Sequence, residues 1–120
     1  MFIQRALFCG TLFLAAIGFI MGASAPAAAH PPIDISAANW KFTPNTITVE
    51  AGQPVTLHVT ATSGVHGIQS DELGIPKTAI APGKFVDVTF TPKTPGTYKI
   101  HCAIPCGPGH GDMVITIVVK

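Results

Sequence analysis

The densest run of reactive side chains in the sequence is His101-Cys102-Ala103-Ile104-Pro105-Cys106-Gly107-Pro108-Gly109-His110-Gly111-Asp112-Met113. From Cys102 onward it reads C-x3-C-x3-H-x2-M, two thiols, an imidazole and a thioether in one short loop. Thiolate and thioether are soft donors and imidazole is intermediate, a set that suits copper. Zinc takes Cys and His but seldom a thioether, so Met113 argues against zinc. The interleaved prolines and glycines make the loop tight, and a rigid site suits one-electron exchange because few atoms need to move.

Each of these residues also has a simpler reading. Cys102 and Cys106 could pair as a disulfide in an oxidising compartment. Met113 could be core packing, as strand-phase methionines usually are. His110 could be an exposed loop histidine. The conjunction of soft donors in one loop favours a metal over these separate accounts. A further imidazole is expected from elsewhere in the chain. His66, in Ser63-Gly64-Val65-His66-Gly67-Ile68, follows a strand expected over 55–61. In an antiparallel sandwich that strand's exit and the 103–112 loop share one end. Taken alone, His66 would read as a turn residue. His58 is expected to face solvent, His101 to point away from Cys102, and His30 is given no role.

The elements that must hold these residues read as strands. Val55, Leu57 and Val59 alternate with polar neighbours, as do Val86, Val88 and Phe90, then Tyr98, Ile100 and Cys102, then Ile115, Ile117 and Val119. Weaker candidates lie at 33–37 and 47–50. Turn chemistry separates them at Ala51-Gly52-Gln53-Pro54, Ala81-Pro82-Gly83 and Thr94-Pro95-Gly96. No stretch after residue 30 sustains a helical period. Six or seven short strands with frequent turns predict an all-β fold, a small β-sandwich. The alternation places Cys102 and Met113 on the apolar side at the same end of two strands, where the loop joins them.

Composition bounds what the chain can do. It has 120 residues, 48% hydrophobic and 11% charged, with a formal net charge of +1 and no basic run. A nucleic-acid partner therefore has no electrostatic footprint. No glycine-rich phosphate-binding motif is present either. Residues 1–29 stand apart: Arg5, an apolar run from Ala6 to Met21, then small residues ending in Ala27-Ala28-Ala29. This is the layout of a secretory signal cleaved before His30, with a second candidate site after Ala25. A retained membrane anchor is the alternative, although the run is short of the roughly 20 residues that span a bilayer. Both place the domain, residues 30–120, outside the cytoplasm: in the periplasm or on the outer face of the cytoplasmic membrane. Cys9 lies inside the apolar run.

The loop resembles the binuclear copper-A motif of cytochrome c oxidase subunit II. Asn39-Trp40-Lys41-Phe42-Thr43-Pro44, then Ile47-Thr48-Val49 and Gly52, is similar to the opening strands of short bacterial subunit II domains. His66-Gly67-Ile68 resembles their first-histidine segment. Leu73-Gly74-Ile75-Pro76-Lys77 and Ala81-Pro82-Gly83 resemble the stretch that follows it. The resemblance spans about residues 33–119 and implies a Greek-key, cupredoxin-like sandwich. By position it implies that Cys102 and Cys106 bridge two copper ions, with His66 and His110 each capping one. It further implies that Met113 and the backbone carbonyl of Ile104 are weak ligands. Family members often carry glutamate where this chain has Ile104, but any residue offers a carbonyl. The aromatic-rich stretch typical of the family is not evident.

No Ser/His/Asp or paired-carboxylate arrangement reads as acid–base machinery. The chain therefore reads as an electron carrier with no catalysis of its own, or as the electron-entry component of an oxidase. A cytochrome c or a membrane oxidase is the redox partner expected, docking on a small apolar patch around His110, with Asp71, Glu72 and Asp112 as an acidic rim. Two other functions use subsets of the same residues. Cys106, His110, Met113 and His66 already make a mononuclear blue-copper set, with Cys102 a bystander. Both thiols could instead carry Cu(I) as a chaperone does.

Overall fold

The computed structural model describes residues 30–120, together with Gly22. The expected signal or anchor, Cys9 included, lies outside the described residues. Nine strands follow in chain order: β1 (Ile33–Ala38), β2 (Lys41–Thr43), β3 (Thr46–Val49), β4 (Val55–Ala61), β5 (His66–Ser70), β6 (Ile75–Ile80), β7 (Phe85–Phe90), β8 (Gly96–His101) and β9 (Val114–Val119). The one helical element among the described residues is a single 3-10 turn, His110–Asp112. No described helix is long and apolar enough to cross a membrane.

The strands form two sheets, in the orders β2-β1-β4-β7 and β3-β9-β8-β5-β6. The chain passes repeatedly from one sheet to the other, so strands adjacent in space are often distant in sequence. This is the Greek-key wiring of an all-β, cupredoxin-like sandwich. Alternation drives it: β4 is buried at every second position and so is β9. Ile35, Leu57, Val59 and Phe90 from one sheet meet Ile68, Ile100, Ile115 and Ile117 from the other in a single core. The expected strands at 55–61, 85–90, 97–102 and 115–119 are all present, as are the weaker pair at 33–37 and 47–50.

Two features differ from expectation. The sandwich is not wholly antiparallel, since β1 runs parallel to β4 and β3 parallel to β9. These pairs arise because the chain leaves one sheet and returns beside an earlier strand instead of turning back as a hairpin. And β2, β5 and β6 lack a readable alternation. β2 has only three residues. His66, Gly67 and Ile68 of β5 are buried in succession, so no polar face marks the strand. A bulge between Ile68 and Ser70 then shifts the phase of the β5–β6 pair. β6 carries Pro76, tolerated because β6 is the sheet's outer strand.

Leu57 is fully buried at the centre of this core. Leu57→Ala is expected to lower unfolding free energy by about 2–5 kcal/mol through lost burial and a residual cavity. Urea denaturation followed by circular dichroism checks this; a midpoint unchanged from the parent would contradict the assigned core.

Candidate metal centre

Four strand ends meet at one pole of the sandwich: the exits of β1, β4 and β8 and the start of β9. The β8–β9 ladder pairs His101 with Val114. One step further the Cys102 amide donates to the Met113 carbonyl at 3.0 Å. Cys102 and Met113 are therefore side by side and both buried, as the alternation predicts. The loop between them is tightened by His110 N–H to the Gly107 carbonyl (3.1 Å) and Asp112 N–H to the Gly109 carbonyl (3.2 Å). The second of these, with Met113 N–H to the His110 carbonyl (3.3 Å), makes the 3-10 turn that starts at His110.

Within this loop Cys106 is the hub. Its Sγ lies 3.6 Å from Cys102 Sγ, 3.7 Å from His110 Nδ1 and 3.8 Å from Met113 Sδ. The two sulfurs are free thiols. Cys102 Sγ donates to the Ile104 carbonyl at 3.3 Å, which turns that carbonyl into the cluster. His66 enters from the other loop, at the start of β5, and is completely buried. A ring nitrogen of His66 and the two Sγ atoms all lie within 4.8 Å of one another.

The protonation of His66 follows from its partners. Nε2 is 2.7 Å from the Ser63 carbonyl, which can only accept, so Nε2 carries the proton. Nδ1 then has a bare lone pair, and it is buried with no hydrogen-bond partner. Leaving such a group unsatisfied costs about 1–3 kcal/mol. A soft or borderline cation between this nitrogen and the thiols would remove that cost. The donor spacings fit as well: donors about 2.0–2.3 Å from a tetrahedral metal lie on the order of 3.5 Å apart. Two thiols, two imidazoles, a thioether and a carbonyl match copper better than zinc.

All six residues singled out in the sequence thus converge here: His66, Cys102, Ile104, Cys106, His110 and Met113. The remaining histidines sit elsewhere. His58 lies on the outer face of β4, bonded to Asp87 and stacked on Phe85 at 4.4 Å between ring centroids. His101 is exposed. The acidic rim needs correction. Asp71 and Glu72 lie beside Thr91, Thr94 and Tyr98 at the opposite pole, because β5 runs away from the cluster after His66. Only Asp112 of the three is near the cluster.

Trp40 is the contributor that spacing arguments missed. Its indole Nε1–H donates to the Cys106 carbonyl at 2.9 Å. Its side chain occupies the room that a Cβ on Gly107 or Gly109 would need: the first would lie 2.5 Å from the indole Nε1, the second 2.5 Å from Trp40 Cβ and 2.7 Å from Cγ. The one hint in the sequence is that this is the chain's single tryptophan. Gly67 has a similar reason to lack a side chain: a Cβ there would lie 3.0 Å from Ile104 Cγ1 and 3.1 Å from the Thr78 carbonyl.

Burial, and after it the adjacent Cys102 thiol, push the Cys106 thiol up from 9.0 to about 11. Without metal, Cys106 is therefore neutral at pH 7, and loading a metal must expel its proton.

The sequence profile of the cupredoxin-like domain family matches residues 11–115. A cytochrome c oxidase subunit 2 of Thermus thermophilus is 37% identical over 79 residues, covering 66% of this chain and 58% of that protein. The chain spans about half the length of the curated relatives it matches. Among solved structures, the periplasmic domain of subunit II of the Bradyrhizobium japonicum cytochrome oxidase superposes with a TM-score of 0.69 at 19% identity. It covers 77% of this chain and 85% of that one. A chain of a heme-copper terminal oxidase dimer gives 0.65 at 22% identity, covering 88% and 84%. These likenesses show the fold.

Two outcomes test the geometry. Alkylation of Cys106 in the metal-free chain, resolved by peptide mass spectrometry, is expected to rise with a midpoint near 11; a midpoint at or below 9.0 would refute the burial argument. The sign for stability follows: the folded chain holds this proton more tightly than the unfolded one, so metal-free stability falls as pH rises through that window. Gly67→Ala is expected to displace Ile104 and weaken metal retention by roughly tenfold, within the range seen when supports of metal ligands are lost. Competition with a chelator measures it.

Proposed function

The chain belongs to the family of cupredoxin-like domains, and on that premise we propose that it is a copper-binding electron-transfer protein with a copper-A-type centre, similar to that of cytochrome c oxidase subunit II. One observation carries the proposal: a fully buried imidazole nitrogen with no partner, set beside two free thiols 3.6 Å apart. In this reading Cys102 and Cys106 would hold two copper ions between them, with His66 and His110 as further ligands and Met113 and the Ile104 carbonyl as weak ones.

Bound copper supplies a one-electron couple; the chain's work is to hold its donors still while charge comes and goes. Cys102, Met113 and His66 are held by the core itself. His110 and Cys106 are held by the hydrogen-bonded loop. Burial of Met113 and Cys102 keeps water from the sulfurs on the inner side, while Cys106 and His110, both half-buried, face outward. That gives an electron a short exit through the loop surface. A cytochrome c or the catalytic part of a membrane oxidase fits such a surface, and weak redox encounters need only small interfaces. Residues 1–29 would direct the domain to the periplasm or hold it on the outer face of the cytoplasmic membrane.

A second reading has its own support. Cys106 has His110 Nδ1 and Met113 Sδ within 3.8 Å. With His66 these complete a mononuclear blue-copper set in which Cys102 plays no part.

Copper counting and EPR on the purified, loaded chain separate the two. Two coppers per chain and a many-line spectrum shared between them are expected, with Cys102→Ser abolishing both. One copper with a four-line spectrum, unaffected by Cys102→Ser, would select the mononuclear site instead.

A further inference from the structure

We infer that Trp40 is a positioning residue for the thiol-bearing loop: its indole N–H, 2.9 Å from the Cys106 carbonyl, fixes how Cys106 presents its sulfur to the cluster.

Four observations lead there. First, the turn between β1 and β2 is tied to both loops that build the cluster. The Asn39 amide donates to Ser63 Oγ at 3.2 Å. The Ser63 carbonyl in turn holds His66 Nε2. The next residue, Trp40, holds the Cys106 carbonyl. Two consecutive residues thus tie the loop that bears His66 to the part of the other loop that bears Cys106.

Second, the segment that follows Cys106 is rich in glycine. Gly107 follows Cys106 directly at φ +130, a conformation that L side chains rarely adopt. Gly109 and Gly111 come soon after. Glycines lose more conformational freedom on ordering than any other residue. The peptide between Cys106 and Gly107 therefore needs an outside partner, and the indole N–H is that partner.

Third, Gly107 and Gly109 pack on the indole. A Cβ on Gly107 would reach 2.5 Å from Nε1, and one on Gly109 would reach 2.7 Å from Cγ. The ring is a platform shaped to a side-chain-free backbone. Fourth, Trp40 remains 40% exposed. Core burial does not account for its position, whereas the loop does.

The inference rests on the copper reading only where copper spectra are used; its first readout needs no metal. Three variants separate the parts. Trp40→Phe keeps a ring and removes the N–H. Trp40→Ala removes both. Gly109→Ala keeps the N–H and drives a methyl into the ring. In the metal-free full chain, Cys106 in folded Trp40→Phe is expected to react with an aromatic disulfide reagent roughly two- to tenfold faster, the scale of one lost hydrogen bond. Trp40→Ala should be faster still, and Gly109→Ala should move the same way as Trp40→Phe. In the copper-loaded chain, the thiolate-to-copper absorption band is expected to shift in Trp40→Phe and Gly109→Ala alike.

A Trp40 that only stabilised the fold would lower the melting temperature and leave both readouts where they are in the parent. Either readout unchanged in folded Trp40→Phe overturns the inference. Should Trp40→Ala fail to fold, Trp40→Phe still decides. Should the parent bind no copper, the copper reading fails and the thiol rate alone judges Trp40.

Discussion

The bond from the Cys102 amide to the Met113 carbonyl closes the β8–β9 ladder at the pole of the sandwich, and the cluster depends on it. Below it, strand pairing fixes every side chain to one face or the other. Above it, the chain has only the residues from 103 to 112 in which to leave and return. Two sulfurs are delivered inward by the ladder's phase alone. The loop must then place a second thiol within 3.8 Å of both and an imidazole 3.7 Å from that thiol, and it does so with turns that need no side chains.

The price of this arrangement is borne by the metal-free chain. His66 surrenders one ring nitrogen to burial without a partner. Cys106 holds its proton well above the ordinary thiol range. Neither feature improves the packing of the sandwich, and both stop being liabilities once a cation lies among the donors. The rest of the core has no such debts: its alternating Ile, Val and Leu positions fill the space between the sheets. Stability and chemistry are thus separated along the strands, with apolar burial in the body and unmet polar demand at one pole.

This separation explains which parts were legible in the sequence. β4, β7, β8 and β9 each bury one face, so period-two alternation exposes them. The loop was legible because its donors are rare residue types crowded together. β5 was not, because Gly67 and Ile68 follow His66 into the interior without a polar interruption. The parallel pairings β1–β4 and β3–β9 leave no local mark, since they depend on where the chain goes between strands. Trp40 was invisible as a site residue because its contact with Cys106 spans 66 positions. Asp71 and Glu72 misled for a related reason: closeness to His66 in sequence is distance in space once β5 runs its length.

The outer strand β6 closes the account from an unexpected side. A free sheet margin invites a foreign strand to add on. Here that margin holds Pro76, which has no N–H to give, and next to it the exposed cation of Lys77. A visiting chain would find a gap in the ladder and a charge to desolvate. Self-templating through this margin is therefore blocked at Pro76 and Lys77.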